Sequence, residues 1–245
     1  MSSARNIAVE RLDLEQSDDP LQVALHQQRY EFVLARVSPG DSVLEVGTGT
    51  GGFSRMVAES CKEFTGLEPD AGACEITRSR LSGRAAVFQG DAQAMPFPSH
   101  SFSVIVCLEV LEHLENYRSA LGEIHRCLRP GGRAMISVPY RRRGGPNPNN
   151  RFHIYEPGER ELVAAFRQYF STVETFYQYF EESKWMTLAR VLHLRSLLGL
   201  APVYRDLALG TPQMTARLRI AAKPGGWKIN LLLLAAEPRS IPFTG

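Results

Sequence analysis

Ten residues, Val43-Leu-Glu-Val-Gly-Thr-Gly-Thr-Gly-Gly52, constrain the fold more than any other stretch of this chain. A short apolar run ends in a glycine-rich loop, and a helical pattern follows from Phe53 to Ser60. The run, Ser42 to Val46, is too short for a helix and suits a buried strand; the loop lets a ligand approach bare backbone. The same alternation continues downstream. Phe64–Leu67, Ala85–Gln89, Phe102–Cys107 and Arg133–Val138 read as strands. Asp70 N-caps a helix running to Leu81, and a helix from Tyr117 to Leu128 is closed by Arg129-Pro-Gly-Gly132.

Strands and helices alternating at this pace predict an α/β fold: a doubly wound, mostly parallel sheet with helices on both faces. Right-handed crossovers then gather the strand-to-helix loops at the carboxyl edge, where ligands bind. After the fifth strand the composition of 140–150 marks a loop, Pro157–Phe166 a helix, Thr172–Phe180 a strand and Lys228–Ala236 the last strand. Residues 1–20 read as a polar arm, and 21–245 as one domain carrying a helical insertion or lid at about 183–226. A leading helix from Leu21 ends before Ser38-Pro-Gly40.

Composition narrows the class. With 245 residues, 44% hydrophobic and 22% charged, the chain has an ordinary globular make-up. Its net charge of +2 gives no general pull toward nucleic acid. No signal-peptide pattern opens the chain, and no apolar run reaches the roughly 18 residues of a membrane span. A cytoplasmic protein is expected. Cys61, Cys74, Cys107 and Cys127 lack metal-ligand spacing, so no metal is assigned and four reduced thiols are expected.

Gly47, Gly49 and Gly52 satisfy G-x-G-x-x-G, and Glu68 follows Gly47 by 21 residues at the end of the next strand. A nicotinamide dinucleotide site fits these four as literally as a nucleoside of another kind; in either, the acid accepts hydrogen bonds from a ribose diol. Glu45 separates the two. A carboxylate beside the loop repels a pyrophosphate but favours a cofactor carrying a sulfonium and an ammonium group. Asp91, after the third strand, is placed to accept adenine amino hydrogens, with the Ala92 backbone nitrogen answering a ring nitrogen. A plain strand-end acid at Glu45 and a turn acid at Asp91 are the competing readings.

Several ordered motifs together resemble the class I S-adenosylmethionine-dependent methyltransferases of the small-molecule type. They are Val43–Gly52, Gly66-Leu-Glu-Pro69, Gly90-Asp-Ala-Gln-Ala-Met-Pro-Phe97, Ser101–His113 and Leu128-Arg-Pro-Gly-Gly132. The resemblance implies S-adenosyl-L-methionine as cofactor, and a seven-stranded sheet whose last strand, Lys228–Ala236, inserts antiparallel beside the fifth. It also implies cofactor contacts from Glu45, Gly47, Gly49, Glu68, Asp91, Ala92 and Leu108. His26–Phe32 and Asn147–Glu156, with Phe166–Gln178, are similar to members acting in glycan and sugar-linked biosynthesis, in which the leading helix folds over the cofactor. Arg29 or Tyr30 could then reach the cofactor's carboxylate. Arg151 departs from that pattern, standing where a small residue or proline is common.

Methyl transfer is an in-line displacement at an activated carbon, so the chemistry asks for positioning, plus a base where the acceptor is a hydroxyl. It requires no nucleophile and no metal. His113, closing the fourth-strand motif, and His153, in the loop beyond the fifth strand, are the candidate bases; loop-orienting and packing roles compete with this. Glu109 and Glu112 flank the same place, and acids there also serve as helix-dipole partners. Arg141, Arg142 and Arg143 suit either an anionic acceptor or a solvated loop, the second being preferred. The insertion carries Lys184, Arg190, Arg195 and Arg205 among apolar residues and no acid up to Arg205, which fits a lid, a homodimer surface or a peripheral membrane contact. The expected acceptor is a small molecule or glycan precursor, through a hydroxyl. RNA methylation and a non-catalytic cofactor-binding subunit are the rival readings.

Overall fold

The runs 42–46 and 102–108 are mostly apolar and lack the regular polar alternation of a strand with one face in water, so both belong inside the sheet, covered above and below. In the computed structural model, which describes residues 19–181, 218–222 and 226–239, they are neighbouring strands: β1 (Ser42–Val46), buried throughout, and β4 (Phe102–Leu108). β2 (Glu63–Glu68) and β3 (Ala85–Gln89) extend the sheet beyond β1, and β5 (Leu128–Pro139) lies beside β4, all in parallel. β8 (Gly226–Pro238) runs antiparallel to both β5 and β6 (Phe170–Glu181), and β7 (Leu218–Ala221) closes the edge. The order is β3-β2-β1-β4-β5-β8-β6-β7.

Helices cover both faces. α1 (Pro20–Leu34), α2 (Ser54–Ala58) and α3 (Ala71–Leu81) lie over a core containing Phe32, Val33, Val43, Val57, Cys74, Val104 and Leu232. α4 (Tyr117–Cys127) and α5 (Glu159–Tyr169) cover the other, built on Leu44, Ile105, Leu121, Ile124, Leu162 and Phe166. α4 shows why it forms: Tyr117, Ala120, Leu121 and Ile124 fall on one stripe, and Asn116 accepts from the amides of Arg118 and Ser119. Asp70 caps α3 by accepting from Ala73 N at 2.8 Å, as its position in the sequence predicts.

Three expectations need correction. Among the described residues the sheet has eight strands, not seven: Leu218–Ala221, inside the stretch expected to be helical, pairs with β6, which otherwise would present an open edge. Arg129-Pro-Gly-Gly132 does not stand outside the fifth strand as a helix-closing turn. It begins β5 as a bulge, where pairing jumps from Phe102–Leu128 to Val104–Arg133 and Gly131 turns at φ +73°. The helix after the glycine loop is a single short turn and a half, since glycine-loop residues up to 53 stay non-helical. Of the arm expected at 1–20, residues 1–18 lie outside the described residues, while Asp19 and Pro20 cap and begin α1; the amphipathic segment at 184–198 lies outside them too, and with it the lid, dimer and membrane readings of the insertion.

Sheet order reverses between β1 and β4. The crevice outside the carboxyl ends of these two strands is where a doubly wound sheet receives its ligand. The glycine loop enters from one side, and Glu109–His113 from the other.

Candidate functional site

The glycine loop is shaped by its backbone. Gly47, Gly49 and Gly51 have φ of +76°, +55° and +73°, a region costly for side-chain-bearing residues. A Cβ on Gly47 would meet Val110 Cγ2 at 2.4 Å, whereas one on Gly49 would meet nothing within 4 Å. Gly47 is thus fixed by packing against the β4 loop, and Gly49 by conformation alone, facing open space. Gly52, counted in the literal glycine motif, is not among the glycines at positive φ. Its place in the turn geometry belongs to Gly51.

Hydrogen bonds stitch the first three strand ends into one rim. Gly47 N donates to Leu67 O at 2.7 Å, and Gly90 N to Glu68 O at 3.1 Å. Glu68, 3% exposed, accepts from Gly49 N at 3.0 Å and Asp70 N at 3.3 Å. A cavity of about 210 Å³ opens between these ends, lined by Val46, Gly47, Leu67, Pro69, Gly90, Asp91, Ala92, Val110 and Leu114. The lining is mainly apolar with Asp91 at its border, the make-up of a slot for a flat heterocycle. Asp91 also holds Gln93 N at 2.8 Å, so its turn role is real alongside any ligand role. Leu108 ends β4, half-buried against the opposite core.

Glu45 is 2% exposed; Tyr30 donates a short hydrogen bond to its Oε1, while Oε2 has no partner. Burial pushes this carboxyl up to about 7, the Tyr30 hydrogen bond opposing and the charge of Glu68 adding to the rise. The hydroxyls of Thr48 and Thr50 are buried without partners as well. Unsatisfied polar atoms gathered at one loop are costly in an empty interior and are what a polar, cationic ligand would satisfy. The residues present therefore fit S-adenosylmethionine.

α1 lies over this loop. Tyr30 stacks on Phe53, ring centroids 5.2 Å apart. Arg29, 2% exposed, donates from Nη1 to Gln178 Oε1 at 3.0 Å and Asn230 Oδ1 at 3.2 Å, and its Nε has no partner. Arg29 is thus first a tie between α1, β6 and β8, which the sequence reading missed. The signal was there: Gln178 and Asn230 are the only side-chain amides of β6 and β8. Asn230 continues the network by donating to Glu109 Oε2 at 2.6 Å, and Ser137 Oγ donates to Glu109 Oε1 at 2.6 Å. Glu109 sits at φ +55° and is a structural acid at the end of β4.

The two candidate histidines, 40 positions apart in sequence, meet. Their rings lie 4.8 Å apart, edge to face. His113 ends a one-turn 3₁₀ helix, Leu111–His113, with Nδ1 3.0 Å from Phe152 O. His153 places Nδ1 2.5 Å from Glu156 Oε1. The loop carrying His153 is anchored where Ile154 N and Tyr155 N donate to Glu112 O at 2.8 and 3.2 Å. Glu156 is buried and also receives Asn147 Nδ2 at 2.6 Å and the Arg141 guanidinium. Burial raises its carboxyl, but these bonds from His153, Arg141 and Asn147 prevail and hold it below the usual range. Arg141 is therefore a structural ion-pair partner; Arg142 and Arg143 are exposed, as a solvated loop predicts. Glu112 is fully buried with neither carboxylate oxygen hydrogen-bonded. Burial, with the nearby charge of Glu109, raises it well above the carboxylate range. Sequence reading gave Glu112 only a flanking place.

Residues 44–136 match the family described as "Methyltransferase domain". A protein of Mycolicibacterium smegmatis named "Probable S-adenosylmethionine-dependent methyltransferase" is 33% identical over 142 residues, covering 56% of this chain and 55% of that one. A ubiquinone/menaquinone biosynthesis C-methyltransferase of Stenotrophomonas maltophilia is 31% identical, covering 49% of this chain and 51% of its own. The chain thus spans about half the length of these curated relatives. Among solved structures, N-methyltransferase NodS of Bradyrhizobium japonicum, in complex with S-adenosyl-L-homocysteine, superposes with a TM-score of 0.59 at 18% identity. That match covers 92% of this chain and 91% of NodS. No helix among the described residues is long and apolar enough to cross a membrane.

Proposed function

Because residues 44–136 form a class I S-adenosylmethionine-dependent methyltransferase domain, we propose that the whole protein methylates a hydroxyl of a small-molecule or glycan-precursor acceptor. The observation that carries the cofactor side is the buried, unpartnered Oε2 of Glu45 beside the glycine loop. When bound, S-adenosylmethionine supplies a methyl group on a sulfonium, already activated for displacement. Glu45 would meet its ammonium group, Glu68 its ribose, and Asp91 with the Ala92 backbone its adenine. Gly47 and Gly49 would give backbone access, Leu108 apolar contact, and Arg29 Nε or Tyr30 an approach to the carboxylate.

The acceptor side rests on the meeting of His113 and His153 across the crevice from that loop. Two imidazoles there can orient a hydroxyl and take its proton as oxygen attacks carbon. Of the named proteins, one is a C-methyltransferase and one an N-methyltransferase, so the oxygen reading comes from this chain's own residues. Calorimetry with S-adenosylmethionine, S-adenosylhomocysteine and NAD tests the cofactor; saturable binding of NAD alone would sink it. His153→Ala or His113→Ala should lower turnover while cofactor affinity holds, and unchanged turnover in both removes these bases. Labelled cofactor incubated with metabolite fractions, sugar nucleotides and RNA tests the acceptor. Label in RNA alone overturns the small-molecule class, and no transfer to anything favours a non-catalytic subunit.

A further inference from the structure

Glu112 is buried beside the two histidines, and the three residues together form a donor set whose acid no step above uses. One ligand atom from each of Glu112, His113 and His153 lies within 4.8 Å of the other two. We propose that Glu112, His113 and His153 form a binding site for a divalent transition-metal ion that holds the acceptor's oxygen beside the methyl donor.

Two independent features support a ligand at this point. Glu112 is fully buried, neither of its oxygens has a hydrogen-bond partner, and the carboxylates of Glu109 and Glu156 stand near it. A cation answers all three. Secondly, each imidazole is held through Nδ1, His113 at Phe152 O and His153 at Glu156 Oε1. Metal-binding histidines are oriented in this way by a carbonyl or carboxylate on the other ring nitrogen, and Nε2 is then the nitrogen an ion would take. Glu156 is itself fixed by Arg141 and Asn147, so its position does not drift with solvent.

Two imidazoles and one carboxylate select a borderline ion such as Co²⁺ or Zn²⁺ over Mg²⁺ or Ca²⁺, and three protein ligands leave positions open. Bonds of about 2.1 Å span at most about 4.2 Å across an ion, so the side chains would close by a few tenths of an ångström. The site adjoins the cofactor cavity: Val110 and Leu114, which line that cavity, bracket Glu112 and His113 in sequence.

The ion's role rests on the hydroxyl reading above; its existence does not. A hydroxyl drawn to the ion ionises more readily, its proton leaving to solvent. The oxygen lone pair forms the new C–O bond as the C–S bond breaks, and that electron pair returns to sulfur. His113 and His153 then serve as ligands instead of bases.

The full chain, stripped with EDTA, should take up one equivalent of Co²⁺ with visible absorption, displaced by Zn²⁺ and not by Mg²⁺. Glu112→Gln and His153→Asn should each weaken uptake at least tenfold while S-adenosylmethionine affinity, the sign of a folded site, stays within twofold. Uptake by the unsubstituted chain no stronger than by the chain carrying both Glu112→Gln and His153→Asn overturns the site. Should the variants fold poorly, nitrogen-labelled histidine in the unsubstituted chain decides: Zn²⁺ should shift two of the six imidazoles, and shifts in none overturn the proposal. Turnover that survives EDTA at full rate overturns the role given to the ion and leaves the imidazoles as bases. A loaded site with no transfer to any hydroxyl refutes the acceptor reading and leaves the metal site standing.

Discussion

At the scale of single residues, Glu45 couples ligand and proton. Its carboxyl is pushed up to about 7 from the ordinary 4.5, so the folded protein retains a proton that the unfolded chain has released. That contribution to stability is fully present below the unfolded value and is lost as pH rises through 7, on the order of 3 kcal/mol at most. Urea unfolding between pH 5 and 8 should show a flatter profile for Glu45→Gln, and parallel profiles would remove Glu45 as the cause. A cationic cofactor favours the ionised form, so binding should release a proton near pH 6–7 and tighten as pH rises toward about 8. Calorimetry in buffers of different ionisation enthalpy reads this directly. Gly47 and Gly49 separate packing from conformation. Gly49→Ala should cost about 1–2 kcal/mol from backbone strain, and Gly47→Ala more, because its Cβ would collide with Val110. Thermal unfolding ranks the two, and equal losses would refute the distinction.

At the scale of elements, α1 is held to the sheet by a charge buried far from its own strand neighbours. Arg29→Met keeps the apolar stem but leaves the Gln178 and Asn230 oxygens without their donor. A loss of about 1.5–3 kcal/mol is expected, hydrogen bonds to charged groups having that worth. Hydrogen exchange should show α1 loosening before β1; uniform change across both would mean α1 is not a separate unit. What was legible in the sequence follows the same divide. β1 to β4 and α3 to α5 could be read because local periodicity and, for α3, the Asp70 cap specify them. The Arg129–Gly132 segment misled because proline and glycine signal a turn, whereas only the register of β4 shows that the turn is a bulge within β5. β7 escaped because a four-residue edge strand exists only through pairing with β6.

At the scale of the whole molecule, β8 and the return of the chain through 140–158 bring together what sequence keeps apart. His113 and His153 were legible as candidates but not as neighbours, and the unpartnered state of Glu112 is a property of the folded interior alone. The half of the crevice at the glycine loop was readable from strand ends; the half at His113 and His153 needed the loop's docking on Glu112 O. Ligand binding should then be felt globally, because both halves hang on one sheet. A ligand at about 100 times its dissociation constant adds about 2.7 kcal/mol. For a domain of this size that raises Tm by roughly 5–10 °C. S-adenosylmethionine and S-adenosylhomocysteine should both produce the shift and NAD should not, since Glu45 opposes a pyrophosphate at Gly47–Gly49. Glu45→Gln should shrink the shift with S-adenosylmethionine, and a full shift in that variant would place the ammonium group elsewhere.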